Sequence, residues 1–258
     1  MSAKHRTISG VILLLGCCVL PSFAQTDAGL ERARLDELRT KGYEALYNLE
    51  YDRARIIFKE MARLFPDHPA GPQSLAATVW LEELNRARHL QASLYSTDAL
   101  QDRSERVDRR TVDQFRHLVR EAKSLSEARL RRDPNDLEAL YFLGAADGLQ
   151  AVFTAGVEQR YRAALGDSAR SVERHKEVIK RDPNFHDAEL TIGLYSYVVG
   201  SLPLPVKLVA SIAGVRGSKK RGLEMLERVA DKGDWAKDIA RTLLIDIYKR
   251  EKRWSDAV

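Results

Sequence analysis

A chain of 258 residues that is 44% hydrophobic and 31% charged can bury a core, which argues against intrinsic disorder. Its 42 Lys and Arg against 37 Asp and Glu give a net charge of +5, but Lys4 and Arg6 sit in a leader, and the remaining excess of about +3 is too small and too evenly spread to recruit nucleic acid. Glycine and proline number only 15 and 8, which argues against a sheet-rich fold stitched by tight turns.

The N-terminus reads as a secretory signal over 1–24. Lys4, His5 and Arg6 form a basic end, Gly10–Leu20 an apolar run, and Pro21 a break. Ser22-Phe23-Ala24 then offers small residues where a signal peptidase reads. Cleavage after Ala24 is one route. Leu14-Leu15-Gly16-Cys17 also resembles a bacterial lipoprotein box, so lipidation at Cys17 is the other. The run is shorter than the ~20 residues a spanning helix needs. Either route implies an exported protein, periplasmic or envelope-associated. Both cysteines, Cys17 and Cys18, lie inside this leader. A chain cleaved after Ala24 carries no disulfide, no thiol nucleophile and no Cys-ligated metal.

Residues 25–34 read as a polar lead-in and 35–258 as one helical repeat domain. Helical periodicity predicts helices over 28–48, 51–64, 71–95, 108–131, 136–153, 157–181, 185–200, 218–231 and 235–250, with a new start at Trp254. No strand run is evident. The breaks are Pro66-Asp67-His68-Pro69, Asp133-Pro134-Asn135, Asp182-Pro183-Asn184 and Lys232-Gly233-Asp234. An Asp or Asn after such a proline can cap the next helix by accepting its free N–H groups.

An internal repeat is the strongest signal. Asp133-Pro134-Asn135 leads to Leu143-Gly144, and Asp182-Pro183-Asn184 leads to Ile192-Gly193, at a constant offset of 49 residues. In the first hairpin, Gly42, Tyr51, Ala54, Phe58 and Pro66 fall at fixed intervals, and Leu244, Tyr248, Trp254 and Ala257 fall at matching ones. These residues resemble the tetratricopeptide repeat family. The resemblance implies an all-α, right-handed superhelical array of antiparallel helix pairs, a degenerate α-solenoid. In it Gly42 and Ala54 would oppose each other so that two helices approach closely. A narrower likeness covers 193–258. Gly193-Leu194-Tyr195, Ser201-Leu202-Pro203, Gly214-Val215-Arg216-Gly217-Ser218 and Gly222-Leu223 look like the tetratricopeptide repeat protein 39 family, which includes an inclusion-body clearance protein. That likeness implies no catalytic residues.

The sites follow from this frame. First helices of such pairs line a concave face, which makes Arg39, Tyr43, Leu46, Tyr47, Tyr141, Leu190, Leu194 and Tyr197 candidates for gripping a protein or peptide segment. Ser218 can open a helix whose free N–H groups hold an anion, with Arg216, Lys219, Lys220 and Arg221 nearby. The alternative there is a plain serine cap beside a solvated basic face. Gly214–Lys220 lacks the Lys-Ser/Thr pair of a phosphate loop. Segment 193–215 carries one charge, Lys207, and reads as a buried helix followed by a short apolar connector. With the basic cluster, 203–221 also has the composition of a membrane-surface element. His68, His89, His117, His175 and His186 show no metal-ligand spacing.

The expectation is therefore a non-catalytic scaffold or adaptor of the cell envelope, without cofactor or metal. A peripheral membrane factor acting through 203–221 is the alternative. The chain also reads as stopping within a repeat. Leu243, Leu244 and Ile247 would then lie uncovered, to be completed by more of the same protein or by another chain in an oligomer.

Overall fold

The computed structural model describes residues 22–86, 107–212 and 216–256. Most of the segment 1–24 read as an export signal, Cys17 included, lies outside the described residues, as does the C-terminal part of the helix predicted over 71–95. Every regular element among the described residues is helical: α1 (Ser22–Tyr47), α2 (Tyr51–Leu64), α3 (Ala70–Arg86), α4 (Arg109–Arg132), α5 (Leu137–Gly156), α6 (Tyr161–Arg181), α7 (Glu189–Gly200), α8 (Leu204–Ile212), α9 (Lys219–Lys232) and α10 (Lys237–Arg250). One-turn 3₁₀ helices occupy His186–Ala188 and Trp254–Asp256. Among the described residues no helix is long and apolar enough to cross a membrane.

Apolar spacing explains most of these helices. Ala54, Phe58 and Met61 share the buried face of α2, and Phe115, Val119, Ala122 and Ser126 that of α4. Both sets follow the period of 3.6 residues. The central helix α5 is buried on several sides, because α3, α4 and α6 all pack on it. Successive helices pack on their neighbours from α1 to α7, then α7 on α9 and α9 on α10.

Local chemistry moved four boundaries. The polar lead-in at 25–34 is part of α1. The helix predicted over 157–181 begins only at Tyr161, because Gln159 adopts φ 56° and the Arg160 N–H turns back to the Thr154 carbonyl at 2.9 Å. The two Asp-Pro-Asn turns are built alike, with the Asn135 N–H donating to Asp133 and the Asn184 N–H to Asp182, each at 2.9 Å. They diverge one residue later. Asp136 accepts from the Ala139 N–H at 2.8 Å and starts α5 directly. Its counterpart Phe185 has no side chain able to cap, and the chain makes a 3₁₀ turn before α7. The connector expected after α7 is instead the helix α8.

Glycines set the closest approaches. Gly42 lies against the Phe58 ring, and Ala54 is fully buried in the same cluster as Phe58. Where α7 meets α9, a Cβ on Gly222 would come within 2.5 Å of the Tyr197 backbone nitrogen and 2.6 Å of the Gly193 carbonyl oxygen. Three glycines of the narrower family likeness, Gly193, Gly217 and Gly222, are thus positions of close contact involving α7. Charge also enters the core. Asp147 on α5 is buried and pairs with Lys123 of α4 at 2.6 Å and with Arg174 of α6. This ties three helices through one carboxylate.

The expected uncovered C-terminal face is corrected. Leu243, Leu244 and Ile247 are all buried, because Leu244 and Ile247 join Tyr197 and Leu226 in one cluster. Ile245 and Trp254 are the large apolar residues exposed at this end.

Candidate functional site

The site begins with a tight turn. Between α9 and α10 the chain runs Gly233-Asp234-Trp235-Ala236. A side chain at Gly233 would strike the Val229 carbonyl oxygen at 2.6 Å and the Asp187 carboxylate at 2.9 Å, so only glycine lets the turn sit this close. Asp187 Oδ1 accepts from the backbone N–H groups of Asp234 and Ala236, both at 2.8 Å. Burial pushes the Asp187 carboxyl upward, although these two N–H donors favour its ionised form.

The turn projects two side chains onto the far end of the chain. Asp234 accepts from Arg32 at 2.6 Å and from Arg39 at 2.7 Å, both on α1. Trp235 lies beneath the same two guanidinium groups, 5.1 and 4.8 Å from its ring. Its other neighbours are Phe142 of α5, edge-on at 4.8 Å, and His68, stacked at 5.6 Å. Aromatic and cation–π contacts of this kind contribute about 0.5–2 kcal/mol each. The N-terminal and C-terminal helices are therefore joined face to face at one turn.

Glu138, in the first turn of α5, sits under this contact. It receives Arg32 at 2.8 Å, Arg129 at 3.0 Å and His68 Nε2 at 3.2 Å. Because His68 Nδ1 accepts from the Ala70 N–H at 3.1 Å, Nε2 carries the proton directed at Glu138. Burial alone would raise the Glu138 carboxyl. The His68 hydrogen bond and the two guanidinium groups outweigh it and hold the carboxyl well below the usual carboxylate range.

Beside the turn opens a cleft of about 220 Å³, lined by Arg39, Thr40, Tyr43 and Tyr47 of α1 and by residues 233–235 and 237–239. Tyr43 packs edge-on against Phe58 at 5.3 Å and faces Tyr47 at 6.1 Å. Burial raises both phenols above their ordinary range, so they remain neutral donors. Asp234, Lys237 and Asp238 supply charge of both signs around the rim.

Three of the eight residues expected on a concave face, Arg39, Tyr43 and Tyr47, meet in this cleft. The other five do not line it. Leu46 is buried in the core. Tyr141 is buried among Phe142, His175 and Phe185. Leu190 and Leu194 pack on the C-terminal cluster. Tyr197 is buried there too, and its hydroxyl donates to Glu251 at 2.7 Å. Their faces are taken by neighbouring helices. The Asp234-Trp235 turn escaped sequence reasoning, although a tryptophan straight after a Gly-Asp break was the available signal.

At the other candidate site, the Ser218 hydroxyl caps α9 by accepting from the Arg221 N–H at 3.3 Å. The Ser218 backbone N–H donates to Ser196 at 3.0 Å. The protein itself thus satisfies part of that helix end. Lys219 pairs with Glu251, while Arg216, Lys220 and Arg221 are exposed. Among the described residues no group of His, Cys, Asp and Glu is arranged to hold a metal ion. No family model matches this chain, and no curated protein matches it.

Proposed function

We propose that this chain is a non-catalytic, exported helical scaffold of degenerate tetratricopeptide type, and that it receives a protein segment in the cleft between α1 and α10. One observation carries the reading: two tyrosines and an arginine face a tryptophan turn around a cavity of about 220 Å³ with charges of both signs at its rim. That volume suits one large anchoring side chain, and aromatic and arginine walls are the usual substance of binding hot spots. The glycine-mediated helix contacts, and the packing of successive helices from α1 to α7 and then of α7 on α9 and α9 on α10, support the repeat reading.

Panning a displayed random-peptide library on the chain lacking residues 1–24 tests the cleft. Enriched peptides should lose about tenfold in affinity on Tyr47→Ala. Peptides that bind this variant as well as the parent would move the site elsewhere. A photo-crosslinker at position 47 in cells would then identify the natural partner. Export is tested by intact mass: a chain starting at Gln25 without lipid supports cleavage after Ala24, and a lipidated chain starting at Cys17 refutes it.

A further inference from the structure

The helix α8 stands apart from the packing that builds the rest of the molecule. It is not among the helices that pack side by side, yet its sequence, Leu-Pro-Val-Lys-Leu-Val-Ala-Ser-Ile, is almost wholly apolar. Leu204 and Leu208, one helical turn apart, are 76% and 66% exposed. Its single charged residue is turned inward, with Lys207 Nζ donating to the Gly200 carbonyl at the end of α7 at 2.8 Å.

The chain re-enters the fold beside the point where it left. Ser218 is tied to Ser196 of α7, and a Cβ on Gly217 would meet the Ser196 carbonyl oxygen at 2.6 Å and the Gly200 nitrogen at 2.9 Å. The start of α9 is therefore pinned against the end of α7, at the root of α8. Here the sequence places Arg216, Lys219, Lys220 and Arg221. No acidic residue occurs between Glu189 and Glu224. Glu251 takes Lys219, and Lys220 reaches Glu224 only at 4.0 Å. Among the described residues Arg216 and Arg221 have no ion-pair partner.

We propose that α8, together with Arg216, Lys220 and Arg221, docks this protein on the surface of a bilayer containing anionic lipid. An exposed leucine face rooted in uncompensated cations matches the layering of such a surface, with acyl chains below and acidic headgroups above. Nine residues of helix reach only about 13 Å, so α8 lies in the interface and does not span it. A protein partner would require shape complementarity, whereas a short helix presenting two exposed leucines beside cations is suited to a fluid surface. This inference is independent of the cleft between α1 and α10.

Co-sedimentation with extruded vesicles tests it, using phosphatidylcholine with and without phosphatidylglycerol. Binding is expected only with the anionic lipid and should weaken severalfold when salt is raised, as exposed charges are screened. Leu204→Glu with Leu208→Glu should abolish binding. Arg216→Glu, Lys220→Glu and Arg221→Glu combined should weaken it about tenfold or more. Because Leu204 and Leu208 are exposed, the leucine variant should keep the parent's thermal melt, and Tyr47→Ala should bind vesicles normally. Absent binding to anionic vesicles, or binding unaffected by the leucine substitutions, would overturn the proposal. So would a concentration-dependent dimer in sedimentation velocity that the leucine substitutions disperse, since that would assign the face to a second copy.

Discussion

Replacing Gly222 by alanine should destabilise the protein by about 2 kcal/mol. The new Cβ would lie 2.5 Å from the Tyr197 nitrogen, 2.6 Å from the Gly193 carbonyl oxygen and 2.9 Å from the Tyr197 Cα, where ordinary contact begins at 3.4 Å. All three neighbours are backbone atoms of α7, so no side chain can rotate to make room. The helix α9 must instead retreat, loosening Leu226 and Val229, both now fully buried. Overpacking of this kind costs roughly 1–3 kcal/mol, and the upper end applies when backbone resists backbone. Alanine returns about 1 kcal/mol through its greater helix propensity. Urea denaturation followed by far-UV circular dichroism reads the difference. Gly29→Ala is the control, since nothing lies within 4 Å of its added Cβ; that change should be neutral or stabilising. If Gly222→Ala behaves like Gly29→Ala, the close approach of α7 and α9 is wrong.

Three further outcomes follow from buried groups and helix ends. Asp147→Ala should cost about 3–5 kcal/mol, because it leaves Lys123 and Arg174 partly buried without their counter-charge; a loss under 1 kcal/mol by chemical denaturation would show that solvent already satisfies them. Burial draws the His175 imidazole down to about 4, from about 6.5 in the unfolded chain. Between those values the unfolded chain binds a proton that the folded chain does not. Stability is thus full above the upper value and falls on acidification, by up to about 1.4 kcal/mol per pH unit, and His175→Gln should flatten that slope. Ala54→Leu should cost about 1–3 kcal/mol by overpacking the first hairpin; a change of a few tenths in a urea melt would mean that α1 and α2 do not enclose this position.

Much of the helical framework was legible in the sequence because helices are local. The spacing of Ala54, Phe58 and Met61 fixes an apolar face on α2, and the residues of Asp133-Pro134-Asn135 and Asp182-Pro183-Asn184 suffice to build their own turns. Gly42 was legible as a position of close approach, since a missing side chain inside an apolar helix face has few other uses, whereas the contacts of Gly193 and Gly222 emerged only where α7 meets α9. Periodicity says which face is apolar but not what covers it. Leu46, Tyr141 and Tyr197 therefore read as groove residues until neighbouring helices were seen to bury them, and Leu204 and Leu208 read as part of a connector until the structure placed them, exposed, on the helix α8. The meeting of Trp235 with Arg32 and Arg39 was decided by tertiary structure alone. Those residues lie at opposite ends of the chain, and only the accumulated geometry of the intervening helices brings a cation and an indole into contact.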